Sequence, residues 1–198
     1  MPAIRYLLLA SIMLLLLSAC SSSSPSRYFT LSPIDGEFRQ DPEDAVILGL
    51  GPLRLPDYLN RSQIVTRGAN SEVLVDEFHR WSEPLGTALP RIVSADVDYL
   101  LEGVVVIVFP YEPFVRDQVK YRLVGDINRF DADHLGRVVL AVQWGIAYTN
   151  GEIAVPVRRK RYLSQATEVS DPGAVAGAMN DALAQFSRDI AAQLEPLL

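Results

Sequence analysis

The sequence predicts an α+β domain, a mainly antiparallel sheet with room for mixed pairings, packed against two main helices and preceded by an export signal. Three observations predict it. Val138, Leu140, Val142, Trp144, Ile146 and Tyr148 alternate with other residues, as they must to share one face of a strand. Asn150-Gly151 is a hairpin turn signal, and residues 152–163 supply the strand that returns beside the first. Val175, Met179, Leu183, Phe186, Ile190 and Leu194 then recur every three or four residues, which makes one apolar helical stripe.

Composition limits the function classes. The chain has 198 residues, 49% of them hydrophobic, and a formal charge of −6. That content folds as one globular domain with a tail. Nucleic acid is excluded as the main ligand, because neutralising phosphates needs a basic face and the acidic charge is spread evenly. One cysteine cannot make an intrachain disulfide.

That cysteine follows an export signal. Arg5 precedes a charge-free, leucine-rich run over residues 7–17, which is too short for a permanent bilayer span of about 18–20 residues and reads as a cleaved signal. Leu17-Ser18-Ala19-Cys20 ends it and resembles the lipobox of bacterial lipoproteins, which implies lipidation of Cys20 and removal of residues 1–19. Acyl chains on Cys20 would hold the protein at a membrane, since stable anchoring takes at least two chains. Residues 20–27 then form a serine-rich tether with a reach of roughly 13 Å, leaving residues 28–198 as the folded domain. Ser21 stands where an Asp would resemble an inner-membrane retention signal, so the expected location is the outer membrane, facing the periplasm of a Gram-negative bacterium.

The remaining elements come in chain order. Tyr28-Phe29-Thr30-Leu31 is β-prone, and residues 45–50 form a continuous apolar run closed by Gly51-Pro52, as in a buried strand. Residues 51–62 carry Pro52 and Pro56 and read as a loop or irregular edge. Residues 63–66 and 72–76 form a hairpin about Arg67-Gly68-Ala69-Asn70. The spacing of Trp81, Leu85, Leu89 and Ile92 predicts a helix over residues 78–94, with Pro84 in its first turn and Pro90 placed to break or kink it. Residues 99–109 are β-prone, and in residues 118–130 Val119, Tyr121, Leu123 and Ile127 share one side of a strand. Ser170-Asp171-Pro172 opens the last helix with a cap and a proline at its first position.

Catalytic patterns are missing. His79 and His134 are the two histidines, no Gly-x-Ser-x-Gly elbow is present, and neither histidine stands in a nucleophile and base pattern. His79 reads as an interfacial or capping residue. Asp131, Asp133 and His134 fail the calcium-loop pattern, because Leu135 and Val142 occupy ligand positions, so they read as a polar hairpin turn. Gly49-x-Gly51 lacks the third glycine of a dinucleotide loop. No enzyme activity, metal or cofactor is expected. Arg158-Arg159-Lys160-Arg161 is unusual in an acidic chain. On a strand its side chains alternate between faces, so it reads as a solvated edge, with contact to anionic headgroups or an acidic partner as the functional alternative.

Four blocks in order carry a resemblance. They are Tyr28-Phe29-Thr30-Leu31, then Gly49-Leu50-Gly51-Pro52-Leu53-Arg54-Leu55-Pro56-Asp57-Tyr58-Leu59, then Arg61-Ser62-Gln63-Ile64-Val65-Thr66-Arg67, and Glu77-Phe78-His79-Arg80-Trp81-Ser82-Glu83-Pro84-Leu85. Together they resemble the ABC-type transport auxiliary lipoproteins over essentially the whole chain after the signal. The resemblance implies an α+β accessory lipoprotein, neither ATPase nor permease, that assists an intermembrane lipid-transport system built around MCE-domain proteins. Departures lie at Pro90 and in the apolar, proline-bounded residues 104–112. Docking to a periplasmic MCE-domain protein, with homo-oligomerisation as a further option, is then expected on Arg54, Pro56, Tyr58 and Arg61, which prolines stiffen, and on Phe78, His79, Arg80 and Trp81. The alternatives are an independent lipid-binding lipoprotein, its cavity lined from residues 104–109 and Phe114, and a structural envelope lipoprotein.

Overall fold

The computed structural model describes residues 25–36 and 43–198, so the signal, Cys20 and most of the tether lie outside the described residues. The chain forms β1 (Arg27–Phe29), β2 (Val46–Arg54), a 3-10 turn (Asp57–Leu59), β3 (Gln63–Arg67), β4 (Val73–Trp81), α1 (Leu85–Leu100), β5 (Val104–Val108), a short α2 (Pro113–Arg116), β6 (Val119–Ala132), β7 (Arg137–Tyr148), β8 (Ile153–Ala166), α3 (Pro172–Leu194) and a closing 3-10 turn (Glu195–Leu197).

All eight strands belong to one mixed sheet. Its axis is β6, whose alternation of buried and exposed residues puts Val119, Tyr121, Leu123 and Ile127 inside. On one edge β6 pairs antiparallel with β7, which pairs antiparallel with β8. On the other edge it pairs parallel with β2 and, at Ala132, with β3. The sheet therefore branches: β5 continues beside β2, while β4 and then β1 continue beside β3. The long antiparallel ladders form the meander that the alternation in β7 predicts; the parallel pairings have no local sequence signature, because their partners are far apart in the chain.

Both long helices cover one face. The α3 stripe is buried throughout, and Phe186 meets Trp144 and Tyr162 with ring centroids 5.8 and 5.6 Å apart. Asp171 caps α3 by accepting from the Gly173 N–H at 2.9 Å, with Pro172 at the first helical position. Asp96 joins three elements from within α1. Its carboxylate accepts from the Ile34 backbone N–H and from the Ser187 hydroxyl of α3, each at 2.7 Å. Burial pushes the Asp96 carboxyl above its ordinary range, against the pull of those two donors.

Several expectations change. Phe78 to Trp81 are strand rather than helix, because β1 pairs His79–Trp81 in parallel and takes up their backbone groups. The helix starts at Leu85 with Pro84 as its cap, and it runs unbroken through Pro90, whose ring is buried in the core. Residues 51–54 likewise extend β2 past Gly51-Pro52 across a register shift, so the irregular segment is confined to residues 55–62. The β-prone stretch also shortens: α1 runs to Leu100, and Gly103, at φ +75°, turns the chain into β5.

Candidate functional site

The segment of residues 51–67 and the end of β4 are distant in sequence and adjacent in space. The Trp81 N–H donates to the Ser62 carbonyl at 2.6 Å, and Gln63 stands opposite Arg80. Of the eight residues expected to contact a partner, Arg54, Arg61 and Phe78 are exposed, while Pro56, His79 and Arg80 are half-buried. Arg54 is held by Asp126 at 2.9 Å. His79 Nδ1 lies 2.7 Å from Asp76, whose other oxygen accepts from the Phe78 and His79 backbone N–H groups, so this imidazole fixes a strand irregularity. Trp81 is core.

Tyr58 has a structural task. Its hydroxyl donates to Asp131 at 2.7 Å, and burial together with that bond pushes its pKa up to about 12. Asp131 also accepts from Arg67 and Arg129, each with a contact of 2.8 Å, and its carboxylate is buried. The cause is local to β6. A register shift between Ile127 and Arg129 puts Arg129 and Asp131 on the face away from the helices, where the 3-10 turn and β3 cover them. The Arg67 guanidinium also lies over the Tyr58 ring at 5.5 Å. This corner welds the β3–β4–β1 branch to β6. Reading Asp131 as part of a hairpin turn missed it; its place within a run of buried β6 residues was the available signal.

The basic run lies on β8, an edge strand, and divides between the two faces. Arg158 covers the Trp144 ring at 5.6 Å, and Lys160 pairs with Asp189 of α3 at 2.8 Å. Arg159 donates to Gln143 at 2.7 Å on the opposite face, where Arg159 and Arg161 line an open hollow of about 440 Å³. Two cations therefore serve packing, and two face outward. Asp189 also accepts from the Tyr162 hydroxyl at 2.6 Å. Burial opposes its ionisation, but the Lys160 and Tyr162 hydrogen bonds outweigh that and hold its carboxyl below the ordinary value of 3.8. A depressed native pKa stabilises the fold above the unfolded pKa, and that stabilisation is lost as pH falls through the native pKa. Asp189→Asn is expected to lose about 1 kcal/mol at pH 7 and to flatten the decline in stability below pH 4, measured by urea unfolding from pH 3 to 7.

Among the described residues no cluster of His, Cys, Asp and Glu could hold a metal ion, and no helix is long and apolar enough to cross a membrane. His134 lies in the β6–β7 turn, where Asp133 accepts from the Leu135 and Arg137 N–H groups.

The fold is a one-domain α+β architecture built on a single branched sheet. The chain belongs to the ABC-type transport auxiliary lipoprotein component family, whose model matches residues 29–191. Among solved structures it is similar to an uncharacterized protein at 19% identity, covering 86% of this chain and 99% of that one, with a TM-score of 0.65. It is also similar to protein XCC0632 from Xanthomonas campestris at 16% identity, covering 87% and 100%, with a TM-score of 0.63. A looser likeness is to the PelC dodecamer from Paraburkholderia phytofirmans, at 11% identity, covering 79% and 92%, with a TM-score of 0.40. No curated protein matches the chain.

Proposed function

We propose that this auxiliary lipoprotein is anchored through Cys20 in the outer membrane, faces the periplasm, and docks the MCE-domain protein of an intermembrane lipid-transport system. The observation that carries the reading is the junction of residues 51–67 with the end of β4, held by the Trp81 to Ser62 hydrogen bond. It puts Arg61 and Phe78, both exposed, on segments that share one end of the sheet, while Tyr58 and Trp81 hold those segments in place from beneath. The same β4 residues pair with β1, so the tether leaves the domain beside this junction. Arg27 lies seven positions beyond Cys20, a fully extended reach of about 25 Å, which keeps the junction near the lipid. Arginine and aromatic side chains on a preorganised backbone are the groups that dominate binding energy at protein interfaces.

The test is crosslinking in cells through a C-terminal affinity tag. The parent chain is expected to capture an MCE-domain protein, and Arg61→Glu with Phe78→Asp to reduce that capture at least tenfold while retaining the parent's thermal unfolding midpoint. Undiminished capture by the folded double variant moves the docking surface elsewhere. Absence of any MCE-domain protein from the parent's captures overturns the function.

A further inference from the structure

A second site lies on the sheet face opposite the helices. After β5 the chain passes through Phe109 and Tyr111 into α2 and borders a cavity of about 550 Å³, lined by Phe109, Tyr111, Arg116, Asp117, Arg122 and Thr149. Gly49 on β2 makes room for it. Leu48 and Leu50 are buried, so position 49 faces the other way, opposite Arg122 of β6, and a Cβ there would stand 3.0 Å from the Tyr111 ring. The Phe109 and Tyr111 rings meet edge to face, with centroids 5.8 Å apart and planes at 88°.

The cavity's charge is unbalanced. The Arg116 and Arg122 side chains make no hydrogen bond or ion pair with any described residue, whereas those of Arg54, Arg67, Arg91, Arg129 and Arg137 are each paired with a carboxylate. Among the described residues Asp117 is the only carboxylate on the wall, so this lining keeps a net charge of +1 within a chain of −6. Two guanidinium forks from different elements suit an anion with more than two oxygens, and the tetrahedral oxygens of a phosphate group can accept from both. Beside them the Phe109 ring is 44% exposed, an apolar surface of a kind that marks ligand or partner contact. The hollow lined by Arg159, Lys160 and Arg161 is more basic, but it has no aromatic wall, and two of its cations are engaged, Arg159 by Gln143 and Lys160 by Asp189.

We propose that this cavity binds a phosphate group bearing an apolar substituent, with Arg116 and Arg122 holding the phosphate oxygens and Phe109 and Tyr111 receiving the substituent. The site is independent of the docking surface. A phospholipid headgroup and a free phosphate share its anionic chemistry, and the length of the substituent separates them.

The experiment is calorimetric titration of the full chain in a non-ionic detergent with inorganic phosphate, hexyl phosphate and hexanol. Hexyl phosphate is expected to bind at least tenfold more tightly than inorganic phosphate. Arg122→Gln is expected to abolish both signals, and Phe109→Ala to remove the advantage of the hexyl group without altering inorganic phosphate binding. Circular dichroism matching the parent establishes that these surface variants are folded. Equal affinity for the two phosphates overturns the role of the rings and leaves a free-phosphate site. Binding that is unchanged in Arg122→Gln, or no binding of either phosphate, overturns the site.

Discussion

Asp131→Ala is expected to destabilise the protein by about 3–5 kcal/mol, because removing one member of a buried ionic cluster leaves the others without compensation. Asp131 is the shared acceptor for Arg67, Arg129 and Tyr58, and among the described residues no other carboxylate pairs with those two guanidiniums. The arginines keep about a quarter of their side-chain surface exposed, so partial rehydration limits the loss. Tyr58→Phe removes one hydrogen bond to a charged group and should cost about 1.5–3 kcal/mol. The double variant should fall short of the sum, since both changes strike one network. Urea unfolding of the four proteins measures this; a loss below about 1 kcal/mol for Asp131→Ala would show that the corner is not an energetic weld.

The second large effect is expected at Phe186. Its ring is fully buried between Trp144 and Tyr162 and is the aromatic contact of α3 with β7 and β8. Phe186→Ala should cost about 3–5 kcal/mol, from lost transfer energy and the cavity left behind. For a domain of this size that lowers the thermal midpoint by roughly 6–20 °C. Phe186→Leu preserves most of the volume and should cost under about 1.5 kcal/mol. Scanning calorimetry that finds the two variants equal would mean that the neighbouring rings close over the gap.

How much of the fold and site was legible depends on the range of each interaction. Alternation in β7, the Asn150-Gly151 turn and the stripe from Val175 to Leu194 are local patterns, and each corresponds to the observed element. Trp81 shows the limit. Its spacing to Leu85 and Leu89 fits a helix face, yet it ends a strand, because β1, about fifty residues earlier, supplies a partner that periodicity cannot reveal. Asp131 shows the same limit for the site. Its partners Tyr58 and Arg67 lie 73 and 64 residues away, so only the fold discloses that an expected surface tyrosine is a structural donor. That Arg54, Arg61 and Phe78 are exposed while Trp81 is buried was not legible either, because pairings far along the chain set each residue's exposure.

The parallel pairing of β1 with β4 also has a mechanical meaning. The tether joins β1 at Arg27, the end from which both strands run toward Trp81. A pull from a lipid-anchored tether along the strand strains the backbone hydrogen bonds of β1 together, in shear, instead of opening them one by one as a pull at right angles would. Behind them the Ile34 N–H bond to Asp96 fastens the chain to the helical layer as a second stop. In the proposed arrangement, with the amino terminus held by lipid and a partner docked on the domain, the load would cross the sheet edge before any of it reached the core.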